Sequence, residues 1–296
     1  LRIFQVDAFT ETRFTGNPAT VVLDADGVGD ATLSALAAEF SHAEVAYVLA
    51  AGAADHDVRL RFMNARREMP FVGHATLAAH AVLLSTGRRG AGVCRQMSGT
   101  GIIEVTARTA ANAAPFFSFR QAVPQLGPPL PFKTTLRVAE ALGLPATRLH
   151  QAMPARVAQK GATRLLVPVV DADALQSLRP NLDTLLTLGT ELGAEGFFVF
   201  AAECGAGPLT TESRMFCPAL GIDEDPVSGN AHAMLAAYLW EGGRLDGESS
   251  GFVGRQGRHV ARPGRVDVRL EIDQGMLRAV HVGGTAAIVS EGTLAR

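Results

Sequence analysis

The chain has 296 residues, 47% of them hydrophobic and 19% charged, which is the make-up of a soluble globular protein and excludes a disordered one. Its formal net charge is −2 and it carries no Lys/Arg run or basic helix, so nucleic acid is not an expected partner. Cys94, Cys204 and Cys217 are scattered and lack C-x-x-C spacing, which argues against a disulfide framework or a zinc ribbon.

The length favours two domains. Residues 2–9 and ATVVL at 19–23 read as strands, with Gly16-Asn17-Pro18 as a turn signal between them. Leu33, Leu36, Ala37 and Phe40 keep the spacing of an amphipathic helix, and Asp30 stands where an N-cap would. VAYVLA at 45–50 is a further strand. So is the stretch in which Val58, Leu60 and Phe62 alternate with Arg59, Arg61 and Met63. Pro115, Pro124, Pro128, Pro129 and Pro131 crowd a segment that predicts neither helix nor central strand, and the domain junction is placed there. Short helices are expected near 134–142 and 181–188, and strands at 196–202 and 266–272. No apolar run approaches the roughly 18 residues that cross a bilayer. The stretch LRIFQVDAF lacks the basic start and apolar core of a signal peptide, so no membrane partner and a cytoplasmic location are expected.

Two stretches 156 residues apart are versions of one another. Glu68-Met69-Pro70-Phe71-Val72-Gly73-His74-Ala75 leads into TLAAHAVLLSTG, and Glu224-Asp225-Pro226-Val227-Ser228-Gly229-Asn230-Ala231 leads into HAMLAAYLWEGG. Each is an acid-x-Pro-x-x-Gly loop opening into a helix, and each follows a strand-like piece, RLRFMNA or ESRMFCPA. Both helices are rich in Ala and Leu around nearly their whole circumference, which predicts burial on every side by a sheet wrapped about each. Each unit would deliver a helix N-terminus, where unpaired N–H groups favour an anion, and two facing ends could grip a small acid.

Glu44, in SHAEVAYVL, has apolar neighbours Ala43, Val45 and Ala46. It reads either as a poorly solvated carboxylate of raised pKa, hence a stronger base, or as a solvent-facing residue at a strand start. His74 could bond a ligand or exchange a proton, or serve as a capping or core histidine. His80 and His232 read as packed residues. Asp225 precedes Pro226, which pushes it out of helical geometry and leaves a projecting side chain or a structural one. Gly73 and Gly229 let backbone approach a ligand closely. The chain has no G-x-x-x-x-G-K-[ST], H-E-x-x-H, G-x-S-x-G or strand-linked G-x-G-x-x-G motif, so cofactor-free proton transfer without a metal is the chemistry left.

The segments VDAFTETRFTGNPATVVL, SHAEVAYVL, FMNARREMPFVGHATLAAH, MFCPALGIDEDPVSGNAHAML and QGRHVARPG together resemble the phenazine-biosynthesis PhzF-like isomerase family. The resemblance implies a diaminopimelate-epimerase-like α+β fold of two similar domains, each a β-barrel around one central helix, with the active site in the cleft between them. Residues 1–115, completed by 284–296, would form the first domain, 132–283 the second, and 116–131 a Pro-rich connection. It also implies that Glu44 is the general acid/base, that Gly73, His74, Asp225, Gly229 and Asn230 bind substrate, and that the protein is a homodimer. Val72 and Ser228 stand where related two-cysteine epimerases and racemases carry thiols, which excludes a paired-thiol mechanism. Asn230 replaces the serine of the phenazine enzyme, and NARRE replaces the family's frequent Thr-Pro pair. The expected activity is cofactor-independent isomerisation of a small carboxylic acid by proton transfer. An epimerase or racemase, and a non-catalytic small-acid binder, are the alternatives.

Overall fold

A computed structural model of the chain describes residues 1–40, 44–203, 209–245 and 251–294; Cys204 and residues 41–43, among them the Ala43 neighbour of Glu44, lie outside these. In chain order the first elements are β1 (Arg2–Ala8), β2 (Asn17–Leu23), α1 (Asp30–Glu39), β3 (Glu44–Leu49), β4 (Val58–Met63), β5 (Glu68–Met69), α2 (Gly73–Ser85), β6 (Gly92–Ser98), β7 (Gly101–Arg108) and β8 (Phe116–Ala122). There follow β9 (Gln125–Pro129), α3 (Phe132–Ala141), β10 (Arg156–Lys160), β11 (Ala162–Pro168), α4 (Ala172–Ser177), α5 (Leu182–Leu192) and β12 (Gly196–Glu203). The last are β13 (Thr210–Cys217), β14 (Ile222–Asp225), α6 (Gly229–Glu241), β15 (Gly251–Gln256), β16 (Gly264–Asp273) and β17 (Met276–Thr293). Two compact units result, Leu1–Arg120 with Gly283–Arg296, and Gln121–Val282.

In the first unit the strands pair in the order β17, β1, β2, β3, β4, β6, β7, β8, and β8 returns to β17, so the sheet closes into an eight-stranded barrel. The alternation along β4 turns Val58, Leu60 and Phe62 inward, where they meet Ala75, Ala78, Ala79 and Val82 of α2. From Ala75 to Leu83 every residue of α2 is buried. The helix has no side-chain N-cap, worth about 1 kcal/mol, whereas each buried Leu or Val contributes about 1.5–3 kcal/mol. Packing inside the barrel therefore holds α2. The amphipathic α1 lies outside, with Leu33, Leu36 and Ala37 against Val22, Val45 and Tyr47, and the Tyr47 hydroxyl donates to the Leu33 carbonyl at 2.6 Å. Asp30 is not its N-cap: Gly29 takes that place, and the Asp30 carboxylate instead accepts from Arg61 at 2.7 Å.

The second unit pairs its strands in the order β9, β10, β11, β12, β13, β15, β16, with β14 added to β13, and α6 packs against β9, β10 and β16. Every residue of α6 from Ala231 to Leu239 is buried. The helices α3, α4 and α5 share a separate core with Phe197, Val199 and Phe216. Asp171 and Asn181 cap α4 and α5 by accepting from Ala174 and Thr184 N–H groups. The proline-rich stretch departs from expectation, because it contains strands β8 and β9. Pro115, Pro124 and Pro131 fall before, between and after these strands, and Pro128 and Pro129 end β9, so the prolines punctuate the strands, and β9 still pairs with β10 across a register shift beside Pro128.

α2 and α6 are both thirteen residues long and begin 156 residues apart, and their preceding residues, Val72 (φ −137°, ψ 112°) and Ser228 (φ −115°, ψ 104°), share one extended conformation. The sequence repeat is thus a structural one, an α+β unit built twice.

Candidate active site

Glu44 is the first residue of β3 and lies opposite Ala19 of β2. His74 occupies the first turn of α2 and sets its Nε2 3.2 Å from Glu44 Oε2, with side-chain exposures of 12% for the histidine and 23% for the glutamate. This corrects the expectation of a raised carboxyl pKa. Burial does push the Glu44 carboxyl up, but the hydrogen bond and the charge of His74, with a backbone hydrogen bond, together outweigh it and hold the group below its ordinary value of 4.5. Glu44 is therefore a carboxylate at neutral pH, beside the His74 imidazole.

Gly73 has a packing reason. A Cβ there would stand 3.1 Å from the Phe119 ring, and that ring packs edge-on against Phe71 at 5.3 Å, which in turn meets Phe62 at 6.1 Å. The aromatic stack fixes the loop that carries His74. Gly99, in the turn between β6 and β7, lets that turn pass Pro70 of the same loop, since a Cβ there would meet Pro70 Cα at 2.7 Å.

The leading acid of each repeat is an anchor. Arg61 of β4 donates from Nε and a terminal nitrogen to the two carboxylate oxygens of Glu68 at 2.8 and 2.7 Å, and Arg214 of β13 grips Glu224 in the same way at 2.9 and 2.7 Å. Each loop is thus tied to the strand before it.

In the second unit the Ser228 hydroxyl caps α6 by accepting from Ala231 N–H at 3.2 Å, and the Ser228 carbonyl accepts from His232 N–H at 3.2 Å. Nothing among the described residues accepts from the N–H groups of Gly229 and Asn230, which leaves two adjacent donors at the start of the helix. The Asn230 side chain donates from Nδ2 to the Lys160 carbonyl at 3.1 Å, so its amide nitrogen is engaged with the β10–β11 turn while Oδ1 stays open. Asp225, the last residue of β14, is partly buried, and its carbonyl accepts from Gln256 Nε2 at 2.7 Å. The first unit thus brings Glu44, Gly73 and His74 together, and the second does the same for Asp225, Gly229 and Asn230. Gln256 and the Lys160 carbonyl are additions that spacing alone did not reveal. The available signal was a glutamine that ends a strand immediately before Gly257. Among the described residues no group of three His, Cys, Asp or Glu side chains could hold a metal ion.

With this geometry in hand, the chain's relatives are informative. Uncharacterized isomerase YddE of Escherichia coli K12 is 34% identical over 97% of this chain and 96% of its own length. A Bacillus anthracis phenazine biosynthesis protein of the PhzF family superposes with a TM-score of 0.87 at 25% identity, covering 100% of this chain and 99% of that one. A probable proline racemase from Agrobacterium radiobacter K84 shares the fold, with a TM-score of 0.64 at 13% identity over 99% and 92% of the two chains. The fold is accordingly the diaminopimelate-epimerase-like one, and the chain is an isomerase. The phenazine biosynthesis-like family, PhzC-PhzF, matches residues 6–292, and the chain belongs to that family.

Proposed function

We propose that the chain is a cofactor-independent isomerase that moves a proton within a small carboxylic acid, with Glu44 as general acid/base. The observation that carries this reading is the Glu44–His74 pair, an ionised carboxylate shielded from most solvent and 3.2 Å from an imidazole nitrogen. A carboxylate held below its ordinary pKa is a weak base, so it can remove a C–H proton only where the carbanion is stabilised. In this reading backbone N–H groups at the helix starts supply that stabilisation, as oriented donors do where negative charge grows. Once protonated, Glu44 returns the proton to another carbon of the same substrate.

His74 orients the carboxylate and relays protons, Asp225 binds a polar group of the substrate, and Gly73, Gly229 and Asn230 hold its carboxylate. One positioned acid/base group typically supplies about 10²–10⁴ in rate. The test is incubation of candidate amino and hydroxy acids in heavy water with wild type and Glu44→Gln. Solvent deuterium should enter a substrate with wild type and at least about 100-fold more slowly with the variant. Undiminished incorporation by Glu44→Gln would assign the base elsewhere, and none with wild type across the panel would favour a binding protein.

A further inference from the structure

The QGRHVARPG segment has no role in the chemistry proposed above, yet it meets the second loop at every step. Gln256 ends β15 with a side chain that is only 4% exposed. Its Nε2 donates to the Asp225 carbonyl at 2.7 Å and its Oε1 accepts from Ser228 N–H at 3.1 Å, so one carboxamide spans both ends of the loop 225–228. Gly257, next in the chain, has φ +89°, and a Cβ there would overlap the Arg262 carbonyl and stand 2.7 Å from the Pro226 carbonyl. Only glycine lets the turn lie this close.

A carboxamide donates to a carbonyl and accepts from an N–H at once. Asparagine is one methylene shorter, and an ionised glutamate has no donor. By taking the Ser228 N–H and the Asp225 carbonyl, Gln256 satisfies the two backbone groups of the loop that would otherwise compete for a ligand. Among the described residues, nothing accepts from the N–H groups of Gly229 and Asn230. We infer that Gln256 is a positioning residue: its carboxamide fixes the loop 225–228 so that the Asp225 side chain and the Gly229 and Asn230 N–H groups are presented in one fixed arrangement to the substrate. The inference rests on the proposed function for its catalytic consequence, but the grip itself can be tested without it.

The decisive variant is Gln256→Glu. When protonated, the introduced carboxyl restores both bonds, its O–H donating to the Asp225 carbonyl and its C=O accepting from Ser228 N–H; when ionised it loses the donor and sets negative charge against a carbonyl. Asp225, Glu224 with its partner Arg214, and Arg258, His259 and Arg262 are the charged and titratable residues of the loop and turn at this grip. The expected result is deuterium incorporation near the wild-type rate at low pH that falls with rising pH relative to wild type, on the order of 100-fold at the plateau. Gln256→Met should show that loss at every pH.

The second measurement is hydrogen exchange of the Ser228 amide in the free protein, which should lose protection in Gln256→Met, and in Gln256→Glu only at the higher pH. If wild type catalyses no exchange into any acid, the proposed function fails while the amide protection still reports on the grip. A pH-independent ratio of Gln256→Glu to wild type, or unchanged Ser228 protection in either variant, overturns the assignment. Should Gln256→Met not fold, Gln256→Glu compared across pH decides alone.

Discussion

His74 Nε2 and Glu44 Oε2 stand 3.2 Å apart, a contact between the first turn of the barrel helix and the first residue of the third strand. Burial raises the Glu44 carboxyl, and His74 together with a backbone hydrogen bond more than reverses that rise. Glu44 works as a base only when ionised. In wild type its activity should persist down to below pH 4.5 and fail as the carboxyl protonates. With His74→Leu the burial effect is opposed only by a backbone hydrogen bond, the carboxyl rises, and the acid limb of kcat/KM for deuterium exchange should move to higher pH. An acid limb that stays in place in the variant would show that His74 does not set the carboxyl.

The two arginine anchors look alike and should not cost alike. Arg214 and Glu224 have side-chain exposures of 9% and 10%, whereas Arg61 and Glu68 have 16% and 47%. Removing one partner of a buried pair leaves a charge without compensation and costs about 3–5 kcal/mol, while an exposed pair is worth about 0–1 kcal/mol. Arg214 also donates to the Leu175 carbonyl at 3.0 Å, a bond that Arg214→Met would remove. Urea denaturation should therefore place Arg214→Met well below Arg61→Met in stability. Equal losses would mean that both loops are solvated to the same degree.

The fold was legible where one side chain decides one outcome. Val58, Leu60 and Phe62 alternate because a strand has a period of two, and the helices after Gly73 and Gly229 are apolar all round because a sheet surrounds each. Glu44 was ambiguous on pattern alone, since a strand-start glutamate and a catalytic one have the same neighbours in sequence. It took the family resemblance to single the residue out, and the position of His74 to reverse the expected sign of its shift. Asp30 failed as a cap because Arg61 of a later strand captures its carboxylate, a contact set by tertiary structure. The prolines of 115–131 misled because their spacing, not their number, decides whether β8 and β9 can pair. Gln256 was invisible because a lone glutamine carries no periodicity.

Asn230 is the residue at which this chain departs from the phenazine enzyme's serine, and its Nδ2 reaches the Lys160 carbonyl at 3.1 Å. A serine hydroxyl is too short to span that gap. Asn230→Ser should lose the tie to the β10–β11 turn, at a cost of about 0.5–1.5 kcal/mol in thermal or urea denaturation. If Oδ1 also binds substrate, KM should rise while kcat changes less, because the base is untouched. A fall in kcat at constant KM would instead place Asn230 in the transition state alone.

His80 and His232 make a different demand on pH. His80 is fully buried, with Arg89 on Nδ1 and Gln96 Oε1 3.0 Å from Nε2; because Arg89 can only donate, the ring proton sits on Nε2 and goes to Gln96. Burial first, and the Arg89 charge second, push its pKa down to about 3, and burial takes fully buried His232 to about 4. Both rings are thus neutral in the fold at pH values where an unfolded histidine, titrating near 6.5, binds a proton. The unfolded state then holds more protons, so stability falls as pH drops from about 6.5 toward 4, at about 1.4 kcal/mol per pH unit for each histidine. Replacing His80 with Gln should remove one of these two contributions. The slope of unfolding free energy against pH between about 4.5 and 6 should therefore flatten by about 1.4 kcal/mol per unit. Because the slope is compared and not the absolute stability, any packing cost of the substitution cancels, and an unaltered slope would show that His80 is already protonated in the folded chain.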